Sequence, residues 1–438
     1  MEFLYKNSAL VAQERISMSA ELLKQVIGNL RQATFAKDYS NPESFINLPQ
    51  DENILKSITA IKEKKNKPNL KYIFVAGIGG ANLGAKAVYD ALFGYFDNFY
   101  PQRLPKMIFL DTINPKVSAS MSGFIEQNIS SADEILVCIV SKSGETIETI
   151  ANLQEVSQIL EKKFGDIKER VIVVTKEGTR LWQISKEKGI DTLTLPETVV
   201  DRYSVFSAVG LTPLSFLPFD TGQFLDGAKG VVDSCLSDNP EQNPAMLSAI
   251  IISEHYKTGK SINDNFFFHP ELESLGKWYR QLMAESLGEE KRIEGRLEKV
   301  GITPTVSIGS MDLHSMAQLY LAGPQNQITT FVYAKDTGVS PQISNSALFA
   351  NLSPDVSGET PEHIVSAMYR SIKTSYIERG IPFMEVVLPD LSAHSLGSFM
   401  QFKMIEMIYL GALLGVYVFD QPNVEEYKQK AKEMLAKK

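Results

Sequence analysis

Several short runs in the first half of the chain are apolar almost without a break: "KYIFVAG", "KMIFLDT", "EILVCIV" and "RVIVVT". A strand with one wet face alternates apolar and polar residues. A strand with no alternation must be covered on both faces, as in a parallel sheet between helical layers. The segments between these runs fit that arrangement. "ANLGAKAVYDALFGYF", "TIETIANLQEVSQILEKKF" and "GTRLWQISKEKG" carry helical patterns, so the unit is βαβ.

After "LPFDTGQFLDGAKG" the alternation stops, and it resumes near residue 263. "NDNFFFH", "TPTVSIG", "QITTFVYA" and "PFMEVVLP" read as strands, and "SMDLHSMAQLYLAG" and "PEHIVSAMYRSIKTSYIERG" as helices. With 438 residues the chain is long enough for two cores. The expected division is a helical N-terminal extension at 1–45, a first α-β-α domain at 46–215, a helical connector at 216–262 and a second α-β-α domain with C-terminal helices at 263–438.

Charge excludes some functions. The formal net charge is −8 and the basic clusters are short or mixed with acids, so no nucleic-acid footprint is expected. The longest apolar stretch, "MIEMIYLGALLGVYVF", contains Glu406 and is too short for a membrane span. The N-terminus lacks the apolar core of a signal peptide. Cys138 and Cys235 are the only cysteines. The expectation is a cytoplasmic protein in a reducing compartment, bound to neither nucleic acid nor membrane.

In open α/β sheets ligands sit beyond the carboxyl ends of the strands, so the loops there carry the functional reading. The first is "GIGGANLG", in which Gly79 and Gly80 let the backbone approach a ligand. Asn82 stands where a dinucleotide fingerprint needs glycine, so that reading fails on spacing. The second is "SKSGETIET", which sets Ser141, Ser143 and Thr146 beside Lys142 at a helix start. Hydroxyls, an ammonium and free helix amides suit a phosphate dianion. Capping alone would also explain the hydroxyls. A Walker A loop is absent, which argues against a nucleoside triphosphate.

Three other motifs are unspecific alone: Arg202 in "DRYSVFSAVG", His314 in "DLHSMAQ", and Gln421 with Lys428 in "FDQPNVEEYKQK". One short motif occurs twice, as Glu273-Ser274-Leu275-Gly276 and Glu285-Ser286-Leu287-Gly288. A helix from Leu272 to Ser286 would carry an apolar stripe through Leu272, Leu275, Tyr279 and Leu282. That places Glu273 towards solvent and Glu285 at the stripe's edge.

Taken in chain order from residue 77 to residue 428, with "AESLG" between "DRYSVFSAVG" and "DLHSMAQ", the motifs resemble the phosphoglucose isomerase family. The resemblance implies two sugar-isomerase (SIS) domains in a homodimer with shared active sites. It implies metal-free, cofactor-free interconversion of glucose 6-phosphate and fructose 6-phosphate, in glycolysis and gluconeogenesis. By the same resemblance, Ser141, Lys142, Ser143 and Thr146 bind phosphate, and Gly79, Gly80 and Gln421 contact substrate. His314 opens the sugar ring, reaching it from the neighbouring subunit, and Lys428 assists there. Arg202 steadies the enediolate, and Glu285 is the base.

The chain departs from the family pattern at Ala81, Val200, Asp201, Glu289 and Asn423. Other readings share parts of the pattern. A non-catalytic SIS sensor of sugar phosphates would lack the acid-base set. The isomerase half of an amidotransferase would follow a cysteine-nucleophile domain. An isomerase that also takes mannose 6-phosphate would carry the same motifs.

Overall fold

The computed structural model describes residues 1–94, 96–293, 296–344, 346–349 and 356–437. The strands in chain order are β1 (Glu2–Leu4), β2 (Tyr72–Ala76), β3 (Lys106–Leu110), β4 (Ile135–Val140), β5 (Val171–Val174) and β6 (Asp191–Leu193). There follow β7 (Ile262–Phe267), β8 (Glu289–Ile293), β9 (Arg296–Val300), β10 (Thr303–Ile308), β11 (Gln327–Asp336) and β12 (Phe383–Asp390). Tyr95, in a run expected to be helical, lies outside the described residues; the observed helix is Leu83–Phe93.

The first sheet has the order β3-β2-β4-β5-β6 and is parallel throughout. Every residue of β4 and β5 is buried, as uninterrupted apolar runs require. β2 has β3 on one side and β4 on the other, so the chain reverses its winding there. The loops after β2 and β4 therefore leave side by side at a switch point, where such sheets bind ligands.

The second sheet has the order β1-β12-β11-β7-β10. It is parallel except at its edge, where β1 pairs antiparallel with β12. The N-terminal segment therefore supplies a strand as well as a helix. That helix, Gln13–Ala36, buries Ile16, Leu23, Ile27 and Leu30. The charged segments β8 and β9 form a separate antiparallel hairpin.

The helix Glu273–Leu287 lies within a core that includes residues of both sheets. It packs on the helices Leu83–Phe93 and Ala393–Leu414 and on β10. A buried polar contact fixes it: the Tyr279 hydroxyl donates to Glu406 Oε2 at 2.5 Å. Lys403 Nζ donates to Glu406 Oε1 at 2.8 Å, with both of those side chains fully buried. A buried carboxylate is tolerable only when paired and hydrogen-bonded in this way. Among the described residues no helix is long and apolar enough to cross a membrane.

Candidate active site

Arg202 stands on a short turn, Asp201–Tyr203, and its side chain is 1% exposed. A guanidinium carries five donors and cannot shed its charge, so burial at this depth demands acceptors. It has them. Nε donates to Ser286 Oγ at 2.9 Å, and Nη1 to Gln421 Oε1 at 2.8 Å. Nη2 donates to the Val418 carbonyl at 2.6 Å and the Asp420 carbonyl at 3.3 Å. The remaining donor is on Nη1, the nitrogen 3.6 Å from Glu285 Oε2. One residue thus ties together the first sheet's loop, the helix carrying Glu285 and the segment before the C-terminal helix.

Glu285 lies near the end of its helix, which stops before Gly288. Gln281, one turn earlier, donates from Nε2 to Glu285 Oε1 at 3.0 Å, so the carboxylate is held by a hydrogen bond and a cation. Exposure does not separate the two motif glutamates: both side chains are 31% exposed. Glu285 is thus partly buried at the edge of the apolar stripe, while the expectation that Glu273 faces solvent is corrected, since it is enclosed to the same degree. Location separates them. Glu273 pairs with Lys277 at 2.7 Å, beside a cleft lined also by Lys86, Asp90 and Ser274, whereas Glu285 meets Arg202.

The glycine loop closes on this cluster. A Cβ on Gly80 would lie 2.5 Å from the Asp201 carbonyl carbon. Gly79 has φ +61°, and a Cβ there would meet the Gln281 amide at 2.8 Å. Close backbone excludes a side chain at Gly80, and the left-handed φ disfavours one at Gly79.

The loop Ser141–Thr146 lies at the carboxyl end of β4. Ser141 Oγ accepts from the Gly144 amide at 3.1 Å and sits 3.2 Å from Thr146 Oγ1. Ser143 Oγ accepts from the Glu145 amide at 3.2 Å. Thr146 precedes the long helix Ile147–Phe164 but makes no capping bond with its side chain. Lys142 Nζ donates to the Val199 carbonyl at 2.7 Å. Burial pushes the Lys142 ammonium below its ordinary pKa, with Asp201 opposing that shift.

Lys428 lies on the C-terminal helix Pro422–Ala436 and pairs with Glu425 at 2.7 Å. Partial burial works against its charge, but Glu425, with Asp201 adding, outweighs that and raises its pKa. The same helix is tied to the phosphate-type loop by Lys432 and Glu145, 2.7 Å apart. His314 is exposed on the short helix Met311–Ser315 after β10. No hydrogen bond or ion pair among the described residues joins it to the Arg202 cluster. Within one chain, then, Arg202, Glu285, Gln421, Lys142, Lys428 and the glycine loop form one neighbourhood, to which His314 is not bonded among the described residues.

Three participants were not singled out from the sequence. Gln281 was detectable, being one helical turn from Glu285. Ser286, which binds Arg202 Nε and lies 3.1 Å from the Tyr203 hydroxyl, left no signal beyond the motif itself. Asp201 stood only as a departure. Of the other departures, Glu289 accepts from the Tyr417 amide at 3.2 Å, which gives it a local structural job. Asn423 is in the first turn of the C-terminal helix.

The family model for phosphoglucose isomerase matches residues 57–438. A probable glucose-6-phosphate isomerase from Methanococcus maripaludis is 31% identical over 371 residues, covering 84% of this chain and 79% of its own. A glucose-6-phosphate isomerase from Methanocaldococcus jannaschii is 29% identical, covering 92% of this chain and 94% of its own. The crystal structure of a hypothetical protein from Thermus thermophilus superposes with a TM-score of 0.85 at 25% identity, covering 99% of both chains. A match over most of the length, to relatives of nearly the same extent and to the same fold, makes this chain a member of the phosphoglucose isomerase family.

Proposed function

We propose that the chain interconverts glucose 6-phosphate and fructose 6-phosphate at the cluster around Arg202. The observation that carries the reading is the placement of a fixed guanidinium 3.6 Å from a carboxylate, beside a glycine turn and a loop suited to phosphate.

The division of labour follows from the chemistry. A phosphate held by Ser141, Lys142, Ser143 and Thr146 supplies binding energy remote from the reacting carbons and orients them. Glu285 takes the proton from C2 and returns it to C1. Negative charge then develops on O1 and O2. Arg202 already points its remaining donor at that side, and its other donors are fixed before substrate arrives, so little reorganisation is needed. Gln421 keeps Arg202 in place, and Gly79 and Gly80 let the substrate lie against backbone. Gln281 sets the angle of Glu285. Lys428 lends charge near the ring oxygen.

Ring opening needs a proton exchanged near neutral pH, which suits histidine. We assign it to His314 in a homodimer, reaching the pocket of the neighbouring subunit. The exposure of His314, and its making no hydrogen bond or ion pair to its own chain's cluster among the described residues, support that assignment. A cytoplasmic location goes with the reading. The test is a coupled assay with fructose 6-phosphate and mannose 6-phosphate side by side. Turnover of fructose 6-phosphate is expected, and its absence would sink the proposal.

A further inference from the structure

Asp201 is the residue before Arg202, on the same turn, and its backbone forms the wall on which Gly80 packs. Its side chain is half-buried. Its backbone carbonyl accepts from Ser204, but among the described residues its carboxylate accepts no hydrogen bond. Four charged groups act on that carboxylate: Lys142, Glu285, Arg202 and Lys428. Burial raises its pKa, Lys142 opposes the rise and Glu285 reinforces it.

The neighbouring cations do not satisfy it. Lys142 donates to Val199, and Lys428 to Glu425. Arg202 donates to Ser286, Gln421, Val418 and Asp420. A half-enclosed carboxylate without a donor is costly, so its lone pairs are offered to whatever fills the site. A phosphate would be repelled by it, and so would the enediolate oxygens. The donors a sugar phosphate has to give are its hydroxyls. Asp201 stands on the chain between Val199, which accepts from Lys142 at the phosphate end, and Arg202, whose Nη1 lies 3.6 Å from Glu285 at the reacting end. On the isomerase reading, the carbons in between are the ones beside it.

We propose that Asp201 is a specificity residue whose carboxylate accepts a hydrogen bond from a hydroxyl on the middle carbons of the sugar phosphate, C3 or C4. The inference rests on the isomerase reading of this site. Its consequence is stereochemical. A substrate lacking that hydroxyl, or carrying it in the other configuration, leaves the carboxylate unpaired, and such sites reject analogues strongly.

The test is a cycle between protein and substrate. Wild type, Asp201→Ala and Asp201→Asn are assayed by proton NMR with fructose 6-phosphate and with its 3-deoxy and 4-deoxy analogues. Asp201→Ala should lose about ten- to hundredfold in kcat/KM on fructose 6-phosphate, the range of a hydrogen bond to a charged group. On one deoxy analogue it should lose less than about twofold against wild type, because the partner hydroxyl is already gone. Asp201→Asn keeps the shape and one acceptor oxygen, and it carries the same analysis should the alanine variant not fold. An equal loss on all three substrates, or no loss on fructose 6-phosphate, would overturn the inference alone. An inactive wild-type chain would overturn the isomerase reading and this inference with it.

Discussion

Arg202 holds the acceptors of Ser286, Gln421, Val418 and Asp420 as much as they hold it. Removing the guanidinium would leave two backbone carbonyls and an amide oxygen without their donor. Arg202→Ala should therefore lower stability by about 3 kcal/mol or more, the range seen when one partner of a buried charged network is removed. Arg202→Lys keeps a charge but cannot reproduce a planar fork. It should lose at least about a hundredfold in kcat with a much smaller change in KM. Thermal unfolding and steady-state kinetics on the two variants check both statements, and near-normal kcat in the lysine variant would contradict them. Arg202, Gln421 and Glu285 were legible in the sequence because each sits in a motif. Their mutual geometry was not, because it closes between residues far apart in the sequence, 219 positions for Arg202 and Gln421, and no local pattern records that. The same holds for Asp201, whose meaning depends on Lys142 and Glu285 being brought to it.

At the scale of elements, the uninterrupted apolar runs were legible because burial on both faces leaves no other composition. The three-residue strand Asp191–Leu193 and the charged hairpin β8-β9 were not, since neither carries an apolar period. β7 was legible as a strand but its burial was not: "INDNFF" is polar at Asn263, Asp264 and Asn265, yet all three are fully buried. Asp264 accepts from Thr305 and Ser307 at 2.6 and 2.9 Å, and burial raises its pKa from 3.8 to about 6.

The sign of its effect follows. Between about pH 4 and pH 6 the folded state keeps a proton that the unfolded chain releases. The stability this lends is full below pH 4 and lost as pH rises through about 6. Asp264→Asn lacks that dependence. Its stability relative to wild type should therefore rise by about 2–3 kcal/mol between pH 4 and pH 7. Thermal unfolding of both at several pH values tests this, and parallel curves would contradict it. In the loops, Gly80→Ala drives a methyl into the Asp201 backbone and should cost about 1–3 kcal/mol. Ser143→Ala with Thr146→Ala should instead raise KM for fructose 6-phosphate while stability holds. Unchanged KM would give that loop another job.

For the whole molecule, the N-terminal strand pairs with β12 and the N-terminal helix packs on the helices Pro244–Lys257 and Ala393–Leu414, so the N-terminal segment and the chain up to Phe419 share one core. That closure positions the C-terminal segment whose carbonyls bind Arg202. His314 is exposed and makes no hydrogen bond or ion pair to this arrangement among the described residues, and the proposed reading uses it from a second copy. Mixing inactive His314→Ala chains with inactive Glu285→Gln chains should then restore part of the activity in heterodimers. No recovery after verified subunit exchange would remove the shared site.

The central claim is that proton transfer runs through Glu285. Its most direct measurement is solvent exchange at C2 of the sugar phosphate in heavy water, followed by NMR. Glu285→Gln should abolish both exchange and isomerisation while sugar phosphate still binds, and Glu273→Gln should leave both nearly unchanged. Exchange that survives in Glu285→Gln, or is lost in Glu273→Gln, would contradict the account.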